Sequence, residues 1–243
     1  MRASINNIKG IIFDYGGTID SRGVHWSEVI WNGYENCGVK VEKLLFRAAY
    51  VYAERLLAKQ PLIRPEHNFY DLMLMKIRHE LLWLCEQGVF PKAEVEKKSA
   101  EIARYCDDCA RECAEEARPV LEKLKKYYPL VMVSNFYGNL HAVLREYDLL
   151  KYFDEVVESA VVGIRKPDNA IFKLGVDALK LRPEEVLVIG DSYSKDIVPA
   201  MSIGCKTIWL KGKGWDDEPE QDSDSIIVNK LEEILNTTLC FVN

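Results

Sequence analysis

The chain has 243 residues, 48% of them apolar and 29% charged, with a formal net charge of −6 at neutral pH. That balance supports a sizeable core and excludes a disordered or fibrous protein. The acidic charge, with no basic run, argues against a nucleic-acid partner. The longest apolar stretches, such as 186–189, are only a handful of residues, so no membrane span is expected. Asp14 also interrupts the N-terminal region before an apolar signal segment can form. The seven cysteines, an odd number, read as reduced thiols in a cytoplasmic protein.

Residues 8–13 form a short apolar run that stops at Asp14 and is followed by Tyr15-Gly16-Gly17-Thr18. This is the pattern of a buried parallel strand ending in a sharp turn. From 27 to 117 the runs become rich in Glu, Lys, Arg, Leu and Ala with helical periodicity. Helices are predicted over 28–37, 41–57, 69–86 and 92–118, punctuated by Pro61, Pro65, Gly88 and Pro91. Strands and helices then alternate: helix 120–128, strand 130–133, helix 138–147, strand 155–159, helix 169–179, strand 186–189, helix 195–203 and strand 207–210. That alternation predicts an α/β fold with a doubly wound parallel sheet. Roughly a hundred helical residues separate the first strand from the rest. The expected organisation is therefore a core domain, residues 1–20 and 118–243, with an α-helical cap domain inserted at 21–117. The acidic stretch 216–224 reads as a solvated loop.

Ligands of open α/β sheets bind beyond the carboxyl ends of the strands. Here those ends carry Asp14, Ser134-Asn135 and Asp191, with Asp196 five residues further on. Alone, an Asp after a strand is a turn former or helix cap. Several such ends in one sheet point to a site. Two carboxylates on neighbouring strands repel each other unless a cation sits between them, and oxygen ligands suit a hard divalent ion such as Mg²⁺.

The segment Phe13-Asp14-Tyr15-Gly16-Gly17-Thr18-Ile19-Asp20 resembles the first motif of the haloacid dehalogenase (HAD) superfamily. Val133-Ser134-Asn135 resembles the second and Arg165-Lys166-Pro167-Asp168, followed by Ile171-Phe172, the third. Gly190-Asp191-Ser192-Tyr193-Ser194-Lys195-Asp196 resembles the fourth. The motifs occur in the family's order, and 27–117 occupies the place of its helical cap. The resemblance implies a Rossmann-like core and a hydrolase with Asp14 as nucleophile and Lys166 neutralising charge on the reacting groups. It further implies that Gly16, Gly17, Thr18, Ser134 and Asn135 contact the substrate, and that Asp14, Gly16, Asp191 and Asp196 hold Mg²⁺. The implied substrate is a small phosphorylated metabolite that a closing cap shields from water, and the implied assembly is a monomer or homodimer without membrane association.

One position departs from the family pattern. Phosphatases of this superfamily carry an Asp two residues after the nucleophile as general acid and base, and this chain has Gly16. Such help is worth ~10²–10⁴-fold, so the expected phosphatase is an inefficient one. Two alternatives stand beside it: a catalytically weak phosphate-ligand binding member, and carbon–halogen or phosphonate hydrolysis. For the latter, Arg47 or Arg55 would serve a halide and Lys43 or Lys59 a Schiff base. Asp20 reads as a hinge or turn residue, and His25 as a capping residue within reach of the site. Cys106, Cys109 and Cys113 read as packing on one helix face. So do Trp26, Trp31, Tyr34 and Tyr50, with some of these aromatics available to line a pocket. Trp209 and Trp215, flanking the loop 211–214, also read as packing.

Overall fold

The computed structural model describes residues 7–213 and 225–238. The predicted stretch 216–224 and Trp215 lie outside them. Six strands form one all-parallel sheet: β1 Gly10–Phe13, β2 Leu130–Ser134, β3 Glu155–Glu158, β4 Val186–Gly190, β5 Lys206–Leu210 and β6 Ile226–Val228, in the order β3-β2-β1-β4-β5-β6. The strands read as continuous apolar runs because both faces of the sheet are covered. Ile12, Val131, Val133 and Val188 pack on one face with Phe172 and Val176, whereas Ile11, Phe13, Met132 and Ile189 point into the larger cluster on the other.

Between β1 and β2 lie α1 Trp26–Asn36, α2 Lys43–Lys59, α3 Phe69–Glu86 and α4 Val95–Lys125. Helix α3 occupies its predicted span and opens with a capping box, in which Asp71 N–H donates to Asn68 Oδ1 (2.8 Å) and Asn68 N–H to Asp71 Oδ2 (3.1 Å). It packs between α2 and α4. The predicted break at 118 is not there: α4 runs without interruption through Pro119 to Lys125. Its buried stripe, from Ile102 through Ala117 to Leu124, continues across the proline, and tertiary packing outweighs the one backbone bond a proline removes.

Beyond β2 come α5 Leu140–Glu146, the short α6 Ser159–Val162, α7 Ala170–Leu179, α8 Val198–Ser202 and α9 Glu233–Thr238. A single wide π-helical turn, Tyr193–Ile197, precedes α8 where one continuous helix was expected. Strand β6 and helices α6 and α9 were not anticipated. Among the described residues no helix is long and apolar enough to cross a membrane. The six described cysteines carry free thiols, with Cys106 and Cys113 buried.

Candidate active site

Register sets the site. Phe13 lies level with Met132 on one side and Ile189 on the other. Asp14, Ser134 and Asp191 therefore leave the sheet together, where the chain passes from β2 and β3 on one flank of β1 to β4 and β5 on the other. This is the switch point at which open parallel sheets bind ligands. Asp14 is 5% exposed and anchored by its N–H to the Ile189 carbonyl (2.9 Å). Its Oδ1 accepts from Ser134 Oγ (2.9 Å) and from Lys166 Nζ (2.6 Å), while Thr18 Oγ1 stands 3.4 Å from Oδ2 and 3.3 Å from Asp191 Oδ1.

Lys166 also donates to Asp196 Oδ1 (2.7 Å), bridging the two carboxylates. Burial would lower its pKa, but Asp14 and Asp196 outweigh burial and hold the ammonium above its ordinary range. Asn135 fixes this lysine: Lys166 N–H donates to Asn135 Oδ1 (2.9 Å), and Asn135 Nδ2 donates to the Lys166 carbonyl (3.1 Å). Asp196 is held from the other side by Ser192 N–H (3.0 Å), and Trp209 Nε1 donates to the Asp191 carbonyl (2.7 Å). Trp209 thus positions a site residue as well as packing.

Asp14, Asp191 and Asp196 each offer an oxygen, all within 4.8 Å of one another. Burial and the neighbouring Asp196 and Asp14 push the Asp191 carboxyl well above its usual range; burial likewise takes Asp196 up to about 6. Three close carboxylates against the single ammonium of Lys166 form an oxygen-rich, net negative donor set, which fits a hard divalent cation. Gly17, at φ +95°, brings the backbone against this cluster; a Cβ there would lie 2.3 Å from the Asp191 carboxyl carbon.

Every sequence-predicted site residue except Thr18 borders a cavity of ≈150 Å³ between the sheet and the inserted helices, and Thr18 reaches Asp14 from beneath. Asp20 accepts from Gly17 N–H (2.7 Å), supporting the turn, and burial pushes its carboxyl up to about 7. His25 accepts from Ser27 N–H at Nδ1 (3.2 Å), capping α1 while bordering the cavity; burial, then Lys195 and Lys76, take it down to about 4. Trp26 and Tyr50 also border the cavity, whereas Trp31 and Tyr34 pack on Phe46. Lys43 pairs with Glu28, and Arg55 and Lys59 line an outward groove on α2. Arg47 borders that groove and a solvent-open cleft that reaches Asp191. Sequence reasoning missed Glu54, Lys76 and Tyr137, which border the cavity from α2, α3 and the loop after β2.

The all-parallel sheet brings Asp14, the clamped Lys166 and the carboxylates of Asp191 and Asp196 together at its switch point, an arrangement that fits a hydrolase. The haloacid dehalogenase-like hydrolase family model matches residues 8–204, and the chain belongs to that family. It is 40% identical over 86 residues to a glyceraldehyde 3-phosphate phosphatase of Methanocaldococcus jannaschii, covering 35% of this chain and 37% of that one. A phosphoserine phosphatase of Thermus thermophilus is 33% identical over 86 residues, covering 35% and 34%. The matches therefore span little more than a third of these curated relatives' lengths. Among solved structures, a 2-haloacid dehalogenase of Pseudomonas syringae pv. Tomato shares the fold at 22% identity, with TM-score 0.53 over 96% of this chain and 99% of that one.

Proposed function

We propose that the protein is a Mg²⁺-assisted phosphatase of a small phosphorylated metabolite, working through an aspartyl-phosphate on Asp14. The observation that carries this reading is the Asp14–Lys166–Asp196 bridge beside Asp191. Metal-independent attack on carbon has no use for three converging carboxylates. Regions of the chain resembling enzymes named as glyceraldehyde 3-phosphate and phosphoserine phosphatases support the same class of substrate.

Ser134 and Lys166 both engage Asp14 Oδ1, which leaves Oδ2 the more available oxygen for attack on phosphorus. The P–O bond to the alcohol breaks as the Oδ2–P bond forms; water then attacks phosphorus, releasing phosphate and regenerating the carboxylate. Lys166 neutralises the nucleophile before attack and the equatorial oxygens during it. Thr18 and Ser134 hydroxyls and the backbone at Gly16 and Gly17 are the further oxygen-binding groups. Asp14, Asp191, Asp196 and the Gly16 carbonyl are assigned to Mg²⁺, which when bound supplies charge neutralisation at the phosphoryl oxygens. Gly16 has no side chain to protonate the departing alkoxide, so esters with good leaving groups are the faster substrates. Residues 21–117 are assigned as the cap that excludes water from the core of 1–20 and 118–243, and the free thiols support a cytoplasmic setting.

The Gly16 gap also supports a second reading, a phosphate-ligand binder with residual catalysis. Hydrolysis of an aryl phosphate with Mg²⁺, compared between wild type and Asp14→Asn, separates the two. Turnover that disappears in the variant supports the phosphatase. Silence in both, with phosphate still raising the melting temperature, supports the binder.

A further inference from the structure

Helices α2 and α3 contribute charged side chains to the cavity that Asp14 borders, where helix packing alone would favour apolar ones. Lys76 of α3 is only 2% exposed, and its ammonium pairs with Glu54 Oε1 of α2 while standing 4.1 Å from the centroid of the Tyr50 ring. Tyr137 donates its hydroxyl to the same Oε1 (2.7 Å). Among the described residues Oε2 of Glu54 accepts no hydrogen bond, yet the side chain keeps 26% of its surface open and borders the cavity. A buried ion pair contributes little to stability, and an apolar pair of equal volume does as well or better. This one borders the same cavity as the nucleophile.

We infer that Glu54, Lys76 and Tyr137 recognise the organic end of the substrate, and that this end is a short chain carrying vicinal hydroxyls. The inference rests on the phosphatase reading and adds the substrate class. A hydroxyl both donates and accepts. It can give its proton to Glu54 Oε2 while accepting from the Lys76 ammonium, and a neighbouring hydroxyl can use the Tyr137 oxygen. A distal carboxylate would face Glu54 with like charge. An alkyl chain would strip water from both ions and return no hydrogen bond. Burial alone would raise Glu54, but Lys76 and the Tyr137 hydroxyl outweigh it and keep the carboxylate ionised as an acceptor. A chain of a few carbons beyond the phosphate fits the cavity of ≈150 Å³ that Glu54 and Lys76 share with Asp14.

The test is phosphate release, with Mg²⁺, from glycerol 3-phosphate, 3-phosphoglycerate, n-propyl phosphate and an aryl phosphate. Glycerol 3-phosphate is expected to exceed n-propyl phosphate in kcat/KM by about ten- to a hundredfold, the scale of hydrogen bonds to charged groups. It should also exceed 3-phosphoglycerate. Glu54→Gln and Tyr137→Phe, which keep side-chain volume, should shrink the glycerol-to-propyl ratio mainly through KM; the ratio within one variant is insensitive to general loss of fold. Equal values for the glycerol and propyl esters, a preference for 3-phosphoglycerate, or a ratio unchanged in both variants overturns the assignment while the phosphatase reading stands. No release from any of the four esters, the aryl one included, removes that reading and the assignment with it.

Discussion

Gly16→Asp supplies the acid–base carboxyl that the resembled phosphatase motif places two residues after Asp14 and that this chain lacks, and the structure has room for it. An ideal Cβ at Gly16 meets no heavy atom within 4 Å, in contrast to Gly17, where a Cβ would collide with Asp191. The position borders the cavity that holds Asp14, so an aspartate there faces the reacting groups. Asp14, Asp20 and Asp191 border the same cavity, and like charges favour the protonated form of a new carboxyl. That shift moves it toward the pH at which an acid–base catalyst works best. The gain expected on an alkyl phosphate is about 10²–10⁴-fold, or roughly 3–5 kcal/mol of barrier. On p-nitrophenyl phosphate it should be small, because that phenolate departs with little protonation. The assay is the alkyl-to-aryl ratio of kcat in wild type and variant under Mg²⁺, with melting temperature as the check on folding. An unchanged ratio in a variant that folds and still responds to Mg²⁺ refutes the reasoning, because another cavity group must then already deliver the proton.

Mg²⁺ at a hundredfold excess over its Kd should stabilise the fold by ~2.7 kcal/mol, or about 5–10 °C in Tm, and Asp191→Asn should abolish the rise. Gly17→Ala forces a Cβ to within 2.3 Å of Asp191 at φ +95°; differential scanning fluorimetry should show a folded protein that has lost its Mg²⁺ response. Glu80 is fully buried, with Tyr34 donating to Oε2 and no partner on Oε1, and burial raises its carboxyl from 4.5 to about 7. Below pH 4.5 both the folded and unfolded states hold that proton; between 4.5 and about 7 only the unfolded state releases it, so stability falls as pH rises through this window, by ~3 kcal/mol in all. Glu80→Gln should remove this slope and raise Tm at pH 8 but not at pH 4.5, and a wild-type Tm that is flat across the window contradicts the assignment.

The sheet was legible because buried parallel strands announce themselves. Runs such as Val186–Gly190, apolar throughout and ended by a polar residue, have few other readings. Strand β6 escaped because its apolar run is only three residues long, and α4 was divided because Pro119 outweighs its neighbours when only local propensity is considered. Asp14, Lys166, Asp191 and Asp196 were legible through motif order and their places at strand ends. Glu54 and Lys76 were not. A lysine or glutamate on an amphipathic helix ordinarily belongs to its solvated face, and only the packing of α2 against α3 turns these two inward. Asn135, expected to contact the substrate, borders the cavity and also holds the backbone of Lys166 through two hydrogen bonds, a pairing across 31 positions that no local pattern contains.

The chain enters the helical layer above the cavity through a turn and leaves it along a rod. On the entry side, Gly23 lies against Gly212 so closely that a Cβ on Gly23 would come within 2.9 Å of the Gly212 nitrogen. On the exit side, α4 carries Ile102 and Ala110 among the inserted helices, and Val120, Leu121 and Leu124 in the buried cluster that includes Ile11 and Leu130 of the sheet. Because α4 passes unbroken from one packing environment to the other, any displacement of that layer away from Asp14 would bend or twist it. Pro119, which has no N–H for the carbonyl one turn earlier, marks the point of least stiffness. A displacement of the helical layer relative to the sheet would be taken up along this one helix, where Pro119 leaves the backbone ladder one hydrogen bond short.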